Sequence, residues 1–180
     1  MRYRLDVVSP NVPAVVKFAG GWLVDRVMAG WDVTVLIDGA QDLRPLEILG
    51  VETQDLEGAL EMWADRPHPQ TVAVASELFT ADARVRRGVL NALDQGLTEV
   101  TLWGEYWPEE LDDTVGSVRH QLSAAARAFK AQALAAIEPN VAVGGQERSD
   151  RGIGTVGDAE TFRCGVMARP SVAADLIPAS

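Results

Sequence analysis

"YRLDVVSPNVPAVVKFAGGWLVDRVMAGWDVTVLID", residues 3–38, decides how the rest of the chain is read. Tyr3–Ser9 is short and apolar through its centre, as expected of a strand covered on both faces. From Val12 to Ala29, Val15, Val16, Ala19, Trp22, Leu23 and Val27 fall on one broad helical face, and Gly30 supplies a C-terminal stop. Asp32–Asp38 repeats the strand pattern. A strand, a helix and a second strand at this spacing imply parallel pairing through a right-handed crossover.

The design recurs further on. Thr71–Glu77 and Glu99–Glu105 read as two more buried strands, with a helix from Asp82 to Gln95 between them and Gly96 as its stop. The second crossover is less regular. "GAQDLRPLEILG" suggests a turn and a short helix, with Asp42 as N-cap and Gly50 as stop. A further helix begins at Thr53 or Asp55, turns Leu56, Leu60 and Trp63 inward, and ends at "RPHP". Beyond Glu105, spacings of three and four from Val115 to Ala136 predict one long helix over 113–137, seated on the sheet or paired with a second copy. "NVAV" before Gly144 suggests a short fifth strand. The expected fold is α/β, a three-layer Rossmann-like sandwich with a mainly parallel sheet of four to five strands. For the four principal strands, the orders 3-2-1-4 and 2-1-3-4 are both open. Residues 1–143 form the domain, and the glycine-rich residues 144–180 read as a flexible C-terminal tail, dispensable for folding.

Composition narrows the partners. With 47% hydrophobic and 23% charged residues the chain is an ordinary globular one, and its formal charge of −10 repels nucleic acid and anionic membrane surfaces. Arg84, Arg86 and Arg87 form the one dense basic run, and on a helix they read as a solvated face. One cysteine makes no intrachain disulfide, and the N-terminus enters a strand without a leader pattern, so a cytoplasmic location is expected. Only Lys17 and Lys130 could form a Schiff base, and both lie in predicted helices. His68, between prolines, and His120, on the long helix, read as surface residues.

The turn after the first strand excludes a dinucleotide fingerprint. It reads "SPNVPA" where GxGxxG would stand, and Pro10 and Pro13 remove amide donors that a pyrophosphate needs. Ser9 or Asn11 caps the helix instead, leaving room for a small anion at most. Gly20 and Gly21 lie about two turns into the helix, where close helix–sheet packing beside Trp22 accounts for them. "GGWLVDRVMAGWDVTVLI" resembles the first unit of two-domain glycosyltransferases over this one crossover. The match stops there, and no activity follows from it. Neither a P-loop, a GxSxG elbow nor an HExxH helix is present.

What remains is positional. Ligands of open parallel sheets bind outside the carboxyl ends of the strands. The candidate ligand-binding set is therefore Ser9, Asn11, Asp38, Glu77, Trp103 and Glu105. Asp38, Glu77 and Glu105 offer the oxygen ligands a divalent cation takes, and Asp38 alternatively suits a ribose hydroxyl. Solvated or capping carboxylates read the same way, so no metal or cofactor is assigned. Trp103, Tyr106 and Trp107 form the candidate interface. The leading expectation is a noncatalytic protein that binds a protein partner or self-associates. The alternative is a small-molecule or nucleotide-binding enzyme acting at the strand-end carboxylates, with or without a metal.

Overall fold

The computed structural model describes residues 2–111, 115–137 and 156–165. Strands β1 (Arg4–Val8), β2 (Asp32–Ile37), β4 (Thr71–Ala75) and β5 (Glu99–Trp103) alternate with helices α1 (Val12–Met28), α2 (Arg44–Ile48), α3 (Leu56–Glu61), α4 (Ser76–Ala81) and α5 (Ala83–Gln95). Strand β3 (Glu52–Asp55) precedes α3, and the pair β6 (Val115–Gln121) and β7 (Ala159–Gly165) flank helix α6 (Ala124–Ile137). The sheet has seven strands in the order β3-β2-β1-β4-β5-β7-β6. The first five run parallel, and β7 pairs antiparallel with both β5 and β6.

Pleating sorts the strand residues into two cores. Leu5, Val7, Val35, Ile37, Ala73 and Trp103 face α1, α2 and α6, whereas Val8, Leu36, Val72, Val74 and Leu102 face α3, α4 and α5. Because both faces are covered, the central strands are apolar without alternation. Asn11 caps α1 by accepting from the Ala14 amide at 2.8 Å, with Pro13 in the first turn. Asp82 caps α5 in the same way, and Gly96 ends it at φ +63°.

Among the four principal strands the observed order is 2-1-3-4, one of the two expected. The strand count is higher than expected, seven against four to five, and the reasons are local. Residues 52–55 are a polar, exposed edge strand, so helix α3 begins after Asp55, which caps it. Asp42 forms a turn with the Arg44 amide at 3.1 Å rather than capping α2. The predicted 113–137 helix divides into β6 and α6, and α6 packs on α1 and α2.

The tail reading is also corrected. Residues 159–165 form β7 inside the sheet, with Phe162 1% exposed against Trp22 at a ring separation of 4.8 Å. "NVAV" and the rest of 144–180 apart from 156–165 lie outside the described residues. His120 belongs to β6, where its Nε2 lies 2.8 Å from Asp25 Oδ2.

Of the glycine pair, only Gly21 is required by a close contact. A Cβ there would stand 2.6 Å from both methyls of Leu122, in the link between β6 and α6, whereas at Gly20 the nearest neighbours are at 3.6 Å.

Candidate functional site

Strand order reverses between β1 and β4, because the chain winds outward from β1 to β3 and then crosses to β4 on the other side. A crevice of about 230 Å³ opens at this point, at the carboxyl edge. Pro10 and Ala14 from the β1–α1 turn, Ala75 and Glu77 from β4–α4, and Gly104, Glu105 and Tyr106 after β5 line it, with Phe18 and Trp103. Gly104 adopts φ +133°, a backbone state that favours glycine, and this turns Glu105 and Tyr106 out beside the crevice. The Ser76 hydroxyl donates to the Trp103 carbonyl at 3.1 Å and pins the end of β5 to the start of α4.

The β1–α1 turn uses its polar groups internally. Ser9 is fully buried; its amide donates to the Leu36 carbonyl at 3.1 Å and its hydroxyl to the Asn11 carbonyl at 2.8 Å. Gln41 bridges the turn from outside, accepting from the Val12 amide at 2.9 Å and donating to the Pro10 carbonyl at 3.5 Å. With two prolines and these bonds, the turn offers no row of amides to a diphosphate.

A second cavity of about 540 Å³ adjoins the crevice, sharing Phe18 and Gly104 with it. Lys17, Lys130, Glu160 and Thr161 are among its walls. Lys17 on this side and Glu105 on the other form an exposed ion pair at 3.2 Å that joins the two rims. Glu160 is buried, and burial pushes its carboxyl up, against the opposing pull of Lys130 and the Trp22 and Gly21 amides.

Of the residues expected to bind a ligand, Glu77, Trp103 and Glu105 come together around the crevice. Ser9 and Asn11 lie behind it, holding the turn. Asp38 is exposed and accepts from the Ala40 amide at 3.1 Å in its own loop, away from the crevice lining. Trp103 is 1% exposed, a core residue whose indole N–H has no partner among the described residues. Trp107 is half-buried against the core with the Arg163 guanidinium 5.5 Å over its ring, so only Tyr106 of the expected interface aromatics is well exposed. Glu160 was not visible as a site residue, since its strand reads as part of a tail.

No protein-family model matches the chain, and no curated protein matches it. Several solved structures share its architecture. One is a zinc-inhibited form of teicoplanin deacetylase, with 14% identity and a TM-score of 0.62, over 93% of this chain and 100% of that one. Another is the A40926 pseudoaglycone deacetylase, with 16% identity and a TM-score of 0.61, over 95% and 100%. A third is 4-carboxy-2-hydroxymuconate hydratase from Pseudomonas putida KT2440, with 16% identity and a TM-score of 0.60, over 94% and 98%. At these identities the likeness is one of fold. The named chains are all enzymes, and this overturns the leading expectation of a noncatalytic, partner-binding or self-associating protein in favour of the alternative.

One of these structures is a zinc-inhibited form, and zinc takes imidazole, thiolate or carboxylate donors. The β1–α1 turn presents Ser9, Pro10, Asn11, Val12, Pro13 and Ala14, with no imidazole, thiolate or carboxylate. Among the described residues no three of His, Cys, Asp and Glu gather closely enough to hold a metal ion. The described residues do not fit zinc. No described helix is long and apolar enough to cross a membrane.

Proposed function

We propose that this chain is a small-molecule enzyme that uses water at the carboxyl edge of its sheet, in the crevice between β1 and β4. The reading rests on one observation: Glu77 and Glu105 flank a crevice at the strand-order reversal, and the Lys17–Glu105 pair joins it to a larger cavity. Deacetylation and hydration both consume water, and enzymes of both kinds share this architecture. The substrate is a small polar molecule carrying an acetamido or a hydroxy-carboxylate group. The closed β1–α1 turn disfavours a diphosphate, so a nucleotide is the weaker fit.

A carboxylate beside the substrate takes a proton from the attacking water as its oxygen bonds the substrate carbon and the π pair of that carbon's double bond moves away. The carboxyl then returns the proton, to the amine nitrogen as its C–N bond breaks in deacetylation or to the adjacent carbon in hydration. Glu105 fills this role, with Glu77 in the same lining. The Lys17 ammonium balances negative charge that develops on the substrate oxygen.

Amide chemical-shift mapping of the labelled protein with N-acetylglucosamine, and with a small hydroxy-acid, tests the reading. Shifts concentrated at Glu77, Gly104, Glu105 and Tyr106 support it. Shifts that saturate elsewhere, with none at these four, sink it.

A further inference from the structure

A second polar cavity, of about 310 Å³, lies at the opposite edge of the sheet, by the starts of β4 and β5. Its walls come from a 3₁₀ turn at Trp63, the Arg66–Pro69 loop, α5 and Thr98, with Asp6 of β1. Asp6 is buried, and two guanidinium groups share it. Arg4 reaches both carboxylate oxygens at 3.1 Å, and Arg66 Nη2 reaches Oδ2 at 3.3 Å. Arg66 Nη1 is buried and has no hydrogen-bond partner among the described residues. One carboxylate thus faces two cations, leaving a local positive excess in a chain of net charge −10.

The loop that carries Arg66 is held from both sides. The Arg4 Nη1 donates to the Pro67 carbonyl at 3.4 Å, and the Thr98 hydroxyl donates to the Pro69 carbonyl at 3.1 Å. Prolines at 67 and 69 stiffen it further. On the facing wall, Asn91 and Gln95 stand four residues apart on α5 and present neutral amide donors. A buried guanidinium nitrogen without a partner among the described residues, uncompensated positive charge, side-chain amides and a preorganised loop surround one space.

We infer that this cavity binds a small oxyanion, a carboxylate or phosphate group, on Arg66. A planar or tetrahedral oxyanion accepts from the guanidinium fork and from the α5 amides together, and it neutralises the excess charge. Chloride brings the charge without the paired oxygen acceptors, and water brings no charge. The site lies across the sheet from the crevice at the carboxyl edge and does not depend on what that crevice does.

The full-length protein is titrated with inorganic phosphate and separately with acetate, at ionic strength held constant with chloride. The Trp63 indole and Gln95 side-chain amide signals are followed by NMR. A saturable shift with phosphate alone assigns a phosphate group, with acetate alone a carboxylate, and with both a general oxyanion site. Arg66→Lys keeps the charge but loses the fork and weakens binding by about tenfold or more. Gln95→Glu leaves the Arg66–Asp6 pair untouched, places a negative charge on the exposed wall, and weakens binding by a similar factor even where Arg66→Lys does not fold. Absence of a saturable shift with either anion overturns the inference, and so does binding that Gln95→Glu leaves unchanged.

Discussion

Glu160 and Lys130 meet at 2.6 Å as a buried ion pair set against the middle of α1. The Glu160 carboxylate accepts from the Gly21 amide at 3.0 Å and the Trp22 amide at 2.8 Å, and Lys130 donates to the Lys17 carbonyl at 2.6 Å. Side chains from β7 and α6 therefore bond backbone groups in the middle of α1, which is helical from Val12 to Met28. Three elements distant in sequence are tied at one point, at Gly21 and Trp22 of α1.

Removing one partner of such a pair leaves a charge buried without its counter-ion. Lys130→Met is expected to cost about 3–5 kcal/mol in urea unfolding. Adding Glu160→Gln to it removes the stranded carboxylate while an amide oxygen still accepts from α1, so the double variant is more stable than Lys130→Met. A double variant as unstable as the sum of the two single changes would show that the groups act independently.

The two adjacent glycines should respond oppositely to alanine. At Gly20 a Cβ meets its nearest neighbours at 3.6 Å, ordinary contact, so Gly20→Ala gains up to about 1 kcal/mol of helix propensity. At Gly21 the Cβ stands 2.6 Å from the methyls of buried Leu122. Overpacking of this kind costs about 1–3 kcal/mol, which offsets or exceeds the same propensity gain. Melting curves should rank Gly20→Ala above wild type and Gly21→Ala at or below it; the reverse ranking contradicts the packing described.

Since β7 lies between β5 and β6, a chain ending at Gly144 loses an interior strand and the partner of Lys130. It should show no cooperative thermal transition. In the full chain, Phe162→Ala should cost about 3–5 kcal/mol, measured by denaturant unfolding. A truncated chain that melts within a few degrees of the full one would restore the tail reading.

Cys164, 3.4 Å from the Thr101 hydroxyl, has its thiol pushed up to about 11, chiefly by burial, from an ordinary 9.0. At pH 8 the folded thiolate fraction should be about 100-fold below that of the unfolded chain, and alkylation correspondingly slow. The unfolded thiol ionises first as pH rises, so the fold holds more protons between pH 9.0 and about 11 and loses stability across that window. Cys164→Ala should flatten this part of the stability–pH curve. An equal slope in the variant would assign the loss to other groups.

The parts of the fold that the sequence revealed share a physical signal. β1, β2, β4 and β5 are covered on both faces and mostly apolar at their centres, and glycines at 30 and 96 mark the ends of α1 and α5. β3 is an exposed edge strand, "ETQD", with no buried side to write a pattern. β6 is a mostly polar edge strand whose Val118 and following Leu122 continue the three-and-four spacing of α6, so the two read as one helix. β7 buries a glutamate where a strand pattern calls for an apolar residue, because Lys130 and two amides compensate it. Glu77, Trp103 and Glu105, singled out by the rule that strand ends carry ligands, stand around one crevice, whereas Asp38, singled out by the same rule, closes a local turn outside its lining. The place of Glu160 depends on a contact across 139 residues.

Turnover in the wild type and in a Glu77→Gln, Glu105→Gln double variant tests the central claim most directly. Acetate release from N-acetylated amino sugars and loss of absorbance from small unsaturated hydroxy-carboxylates are the two readouts. Both glutamates are exposed, so the double variant should unfold within about 0.5 kcal/mol of wild type per site. Catalysis by a carboxylate in the crevice predicts a loss of about 10²–10⁴-fold in kcat/KM in that stable variant. Turnover that survives both substitutions undiminished would contradict a reaction at the carboxyl edge.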